Sequence, residues 1–182
     1  MRKIIIVLLL FNTAFAQLPV DPSTHLITYT GVVQVSGTQS ELYSRAREWF
    51  AKTYNSAQSV IQMDDKDKIV GKPLMIAYYK NYHFGRIYYT VSVYLKDGKY
   101  KYEFTNFYHK GQYTGGGNYV GNVYIPNADI PDLGSVESLM NSTKKRDQKI
   151  FTAFSEQINS EVISLISSLK EAMSNPATVA DF

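Results

Sequence analysis

From His25 to Val35 apolar and polar positions alternate, with Ile27, Tyr29, Val33 and Val35 on one side, which predicts a half-buried strand. Ser36-Gly37 breaks the run. Thr38 then stands three residues ahead of Glu41, the spacing of a capping box, so a helix should open here. Leu42, Ala46, Trp49, Phe50 and Thr53 recur at helical spacing as its buried stripe. Glu41/Arg45 and Glu48/Lys52 fall at i,i+4 on the expected wet side. Ser59 to Met63 reads as a short strand, Asp64 to Asp67 as a polar turn, and Lys68 to Lys80 as further extended chain. Within it, Gly71 suits a bulge and Pro73 an edge or a break.

The clearest unit is a hairpin. Ile87, Tyr89, Val91, Val93 and Leu95 alternate with Tyr88, Thr90, Ser92, Tyr94 and Lys96. Asp97-Gly98 supplies a two-residue turn of the type I′ kind, and Tyr100, Tyr102, Phe104 and Tyr108 continue beyond it. That turn fixes a register in which Leu95 faces Tyr100, Val93 faces Tyr102, Val91 faces Phe104 and Ile87 faces Tyr108. The other side then pairs Tyr94 with Lys101, Ser92 with Glu103, Thr90 with Thr105 and Tyr88 with Phe107. It also sets His109 opposite Arg86.

Lys110 to Gly134 is glycine-rich and loop-like, with a last strand expected within Tyr119 to Ile125. From about Thr143 a long helix begins. Phe151, Phe154, Ile158, Val162, Leu165 and Leu169 form its stripe, Ile150, Ile163 and Ile166 widen it, and Pro176 follows its end. Strand, helix, three or four strands, helix: this order predicts an α+β domain, an antiparallel sheet with two helices packed on one face.

The N-terminus carries a different signal. Arg2 and Lys3, the apolar run Ile4 to Phe11, and the small residues of Ala14-Phe15-Ala16 are the three parts of a cleavable signal peptide. The run is too short to cross a hydrocarbon core of roughly 30 Å as a helix. The expected organisation is a leader over 1–16, a lead-in over 17–25, a single domain over 26–174 and a frayed tail over 175–182. Export by the Sec route to the periplasm or to the cell surface and extracellular space follows, with no transmembrane anchor. Arg2 and Lys3 leave with the leader, so 19 Lys and Arg become 17 against 16 Asp and Glu. A nearly neutral chain is poor material for nucleic-acid binding by counterion release. Without cysteine, stability must come from the core alone.

Several segments together resemble a known family. They are Val33-x-Val35, Glu41-Leu42-Tyr43, Trp49-Phe50, Ile69-Val70-Gly71-Lys72 after an acidic turn, and Asp97-Gly98-Lys99-Tyr100. Over about Leu26 to Phe107 the chain is similar to exported bacterial proteins of unknown function with a TATA-binding-protein-like (TBP-like) fold. The resemblance implies a β-α-β-β-β-β-α arrangement and no activity.

Candidate chemistry is sparse. His25, His83 and His109 lack the spacing of metal ligands and read as solvated turn residues, so neither a metal site nor a catalytic residue is expected. Asp64, Asp65 and Asp67 lack the glycine and distal glutamate of a calcium loop. Gly111 to Gly117 has no Lys-Ser/Thr pair to make it a phosphate loop; a flexible connection is expected, and no cofactor. What remains is the sheet side away from the helices. There Tyr88, Tyr94 and Phe107, with either Tyr78 or Tyr79, should stand exposed as candidate partner-binding residues. The expectation is a non-catalytic binding or assembly module whose partner is an envelope protein or a glycan. The alternative is a carrier of a small apolar ligand held between the sheet and the C-terminal helix.

Overall fold

The computed structural model describes residues 18–112, 117–120, 123–126 and 130–174. The expected leader and tail lie outside the described residues. The elements are β1 (Tyr29–Gln34), α1 (Gln39–Thr53), α2 (Ala57–Val60), β2 (Ile61–Asp65), β3 (Lys68–Gly71), β4 (Leu74–Tyr79) and β5 (Tyr82–Lys96). There follow β6 (Lys99–Lys110), β7 (Gly117–Val120), β8 (Val123–Pro126), β9 (Gly134–Ser135), α3 (Val136–Met140) and α4 (Lys145–Ser174). The antiparallel sheet runs β1-β6-β5-β3-β2, with β4 also on β5 and β9 also on β6. The strand expected within Tyr119 to Ile125 instead folds back on itself: β7 and β8 pair as a separate hairpin.

Helix α1 opens as its sequence dictates. Thr38 Oγ1 accepts from the Glu41 N–H at 3.3 Å, and Glu41 accepts from the Thr38 N–H at 2.7 Å. Leu42, Ala46, Trp49 and Phe50 are buried, and Glu48–Lys52 pairs at 2.6 Å. Arg45 departs from expectation. It is buried, and its Nη1 donates to the carbonyls of Ser36 (2.9 Å) and Met173 (2.8 Å), tying α1 to the last turn of α4. Gly71 marks a close approach: a Cβ there would lie 2.8 Å from the Phe50 ring.

Near its turn the β5–β6 hairpin keeps the deduced register from Lys96↔Lys99 to Thr90↔Thr105. Then it slips. Asn106 adopts a left-handed φ of 57°, and Asn106 and Phe107 together oppose Tyr89, so the ladder resumes as Tyr88↔Tyr108, Ile87↔His109 and Arg86↔Lys110. Because side chains alternate with a period of two, the extra residue exchanges the two sides of everything beyond it. Phe107 turns inward and is fully buried; Tyr108 turns outward.

Helices α1 and α4 pack on one face of the sheet and against each other. Ile150, Phe154, Ile158, Val162, Leu165, Leu169 and Met173 are the buried row of α4, whereas Ile163, expected to widen it, is 54% exposed. Beside the sheet, the Gln157 side chain accepts from the Tyr78 N–H (2.8 Å) and donates to the Tyr78 carbonyl (2.7 Å), as a neighbouring strand would. The lead-in is also part of the fold. Leu18 is buried, Val20 bridges to Ile27, and the Ile27 N–H donates to Glu137 Oε1 at 2.9 Å. Ser135 holds the second oxygen of that buried carboxylate.

Candidate functional site

The face away from the helices is built by outward positions of five strands. Leu74 on β4, Tyr88 on β5 and Tyr108 on β6 are direct neighbours in one row. Ile76, Arg86 and Lys110 form the next. Leu74, Ile76, Tyr78 and Tyr108 are each exposed by 39–49%, and Tyr88 between them is half-buried. Of the two tyrosines that the sequence left open, Tyr78 is the outward one. Tyr79 packs inward against Phe84, with ring centroids 5.5 Å apart.

Tyr94 lies on the same face at the hairpin-turn end. Its ring sits between the ammonium groups of Lys68 (4.8 Å) and Lys101 (5.3 Å), its two cross-strand neighbours. That ring is already engaged by cations from within the sheet. Phe107, the third candidate, is not on this face: its ring stacks on Tyr89 at 5.7 Å in the core. The bulge at Asn106 is the cause, and Tyr108 takes the place foreseen for Phe107. The alternation of Leu74, Ile76 and Tyr78 with Met75 and Ala77 was the signal that identifies the β4 contribution.

Histidines and carboxylates serve the fold. His109 is buried between the rings of Phe154 (5.0 Å) and Phe84 (5.7 Å) rather than solvated. Its Nε2 donates to the Phe84 carbonyl at 2.7 Å, and its Nδ1 accepts from the Leu133 N–H at 3.3 Å. Burial holds its pKa below the usual histidine range. His83 reaches the Gly85 carbonyl at 3.1 Å, and His25 is exposed. Asp64 accepts from Tyr43 (2.8 Å) and Arg47 (3.1 Å), bracing β2 against α1. Among the described residues no three His, Cys, Asp or Glu side chains gather as a metal site would require.

One concavity has no counterpart in the sequence reading. A cleft of about 420 Å³ lies between the end of α1, the start of β4 and the middle of α4, bordered by Tyr54, Leu74, Tyr89, Glu161 and Leu165. The Tyr54 hydroxyl is closed off from solvent and has no hydrogen-bond partner among the described residues. Burial first, then for Tyr54 the neighbouring Tyr89 phenol, and last the Glu161 charge, push Tyr54 and Tyr89 well above the ordinary tyrosine range, so both stay protonated.

Among the described residues no helix is long and apolar enough to cross a membrane. No curated protein matches the chain. Its fold is similar to that of a TBP-like protein from Parabacteroides distasonis ATCC 8503, with a TM-score of 0.55 at 11% identity over 84% of this chain and 97% of that one. It is also similar to a DUF4468 family protein from Bacteroides ovatus ATCC 8483, with a TM-score of 0.52 at 12% identity over 88% and 92%. Residues 29–110, from the first strand to the end of the long hairpin, match the domain of unknown function (DUF4468) with TBP-like fold.

Proposed function

We propose that this chain is an exported protein of the bacterial envelope, freed of its leader at Gln17, that works without catalysis as a binding or assembly module. The observation that carries this reading is the row Leu74, Tyr88 and Tyr108, which puts apolar and aromatic surface side by side on the face away from the helices. Flat aromatic surface rimmed by Arg86 and Lys110 suits burial of a protein partner or stacking on a sugar ring. Both ring nitrogens of His109, the histidine nearest Arg86 in sequence expectation, are taken by backbone groups, which leaves it no proton to move. The carrier alternative has less support, because Phe84, His109 and Phe154 fill the space between β5 and α4 with packed rings.

A photo-crosslinking residue placed at Tyr108 in cells tests the site. Discrete adducts should form there and not from a probe at Lys52 on the far side of α1. Equal labelling at both positions would end the reading. N-terminal sequencing of the secreted product should begin at Gln17.

A further inference from the structure

Among the described residues the outer edge of β4 has no backbone partner over a defined length. The Tyr89 N–H donates to the Pro73 carbonyl at 3.2 Å, so Leu74 and Tyr88 are a non-hydrogen-bonded pair. The N–H and C=O of Leu74 therefore point away from β5, and by alternation those of Ile76 do too. On one side the gap is closed by the chain leaving α2, where the Lys72 N–H donates to the Val60 carbonyl at 2.9 Å. On the other it is closed by Gln157 at Tyr78. Between them there is room for three or four residues of extended chain, about 10–13 Å.

The Glu161 cleft opens onto the same edge, with Leu74 in its wall. Tyr89 is only 2% exposed and borders the cleft. Its hydroxyl lies near that of Tyr54, which has no hydrogen-bond partner among the described residues. The polar lining is the exposed Glu161 carboxylate together with the neutral side chains of Thr53, Asn55 and Ser56, with Tyr54 and Tyr89 in the wall. Glu161 is the one charged group among neutral neighbours in this lining, and an unpaired carboxylate there selects a cation.

We propose that the bare edge of β4 pairs with a short extended segment of a partner protein, and that a Lys or Arg of this segment enters the Glu161 cleft. Residues opposite Leu74 and Ile76 share the open face with them and are apolar; the residue between, opposite Met75, points to the helix side and carries the charge. A second copy of this chain fits less well, since pairing two β4 edges brings two Glu161 carboxylates to one seam. The proposal rests on the reading of the chain as a binding module and names the edge and chemistry by which it holds its partner.

The test uses the whole mature chain, 15N-labelled, and the blocked peptide acetyl-Thr-Ile-Lys-Ile-Thr-amide. Saturable shifts are expected at the amides of Leu74, Ile76 and Tyr89. Affinity should fall about five-fold or more when norleucine replaces the lysine, when Glu161→Gln is introduced, or when both isoleucines are N-methylated. Glu161 is exposed, so that variant keeps the fold, and the norleucine peptide should bind it as it binds the wild type. No shift at Leu74 and Ile76 with millimolar peptide, or equal affinity for the lysine and norleucine peptides, overturns the proposal. Shifts confined to Tyr88 and Tyr108 overturn it as well, while leaving the open-face reading in place.

Discussion

Two adjacent aromatic residues on β6 should differ sharply in what their loss costs. Phe107→Ala removes a ring with no exposure that stacks on Tyr89 at 5.7 Å and meets Tyr29 edge-on at 6.3 Å. Buried Phe→Ala changes cost about 3–5 kcal/mol, from lost transfer energy and the cavity left behind. Tyr108→Ala removes a ring that is 46% exposed, so only cross-strand contacts of about 0.2–1 kcal/mol are lost. The bulge at Asn106 therefore predicts a gap of about 2–4 kcal/mol between the variants; an unbroken ladder predicts the opposite order. Urea unfolding followed by the fluorescence of Trp49, the only tryptophan, reads this directly. At about 2 kcal/mol per molar, the Phe107→Ala midpoint should fall by about 2 M and that of Tyr108→Ala by less than about 0.5 M. Equal midpoints, or a larger loss for Tyr108→Ala, would refute the inward turn of Phe107. Asn106→Val, which forces a β-branched residue into the left-handed region, should cost about 1–2 kcal/mol, and Asn106→Gly little.

Acid should weaken the fold through His109. Burial lowers its folded pKa, so the unfolded chain binds the proton first; stability is full above about pH 6.5 and is lost as pH falls from there toward the folded value. His109→Phe should flatten the difference in urea midpoint between pH 7.5 and 5, and an unchanged difference would assign it to other groups. Arg45→Met strands the carbonyls of Ser36 and Met173 and should cost about 2–3 kcal/mol, seen as a lower thermal midpoint; a neutral result would mean that those carbonyls find other donors. Gly31→Ala would put a Cβ 2.6 Å from the Tyr102 hydroxyl, at a cost of about 1–3 kcal/mol. In a Tyr102→Ala background the same change should be nearly free, and a persisting penalty would point to the backbone instead.

What the sequence showed followed from local physics. Thr38 with Glu41 announced α1, and Asp97-Gly98 set every pair from Lys96↔Lys99 to Thr90↔Thr105, since a short turn leaves one register. The reading failed where one residue in a left-handed conformation shifted the ladder, because Phe107 and Tyr108 are both aromatic and either phase keeps a ring on each side. Spacing held a hint: Phe104 and Phe107 are three apart, with Thr105-Asn106 between. Arg45 was placed on the wet side because its nearest opposite charge is Glu41, whereas its partner Met173 lies 128 residues along. The open face was foreseen from helix placement, but its residues were only half identified. The Glu161 cleft was invisible because α1, β4 and α4 build it together and no single segment carries its pattern.

The buried bond from Ile27 to Glu137 spans 110 residues, and the Tyr29 hydroxyl reaches Asn159 across 130. The first strand to be synthesised is thus among the last to find its place, since β1 must wait for β6 and the lead-in for α3. Closing such distant contacts slows folding relative to a chain of local hairpins and helices. If the proposed export holds, late closure is an advantage: the order of its contacts would keep the chain open until the C-terminal third has crossed the translocation pore.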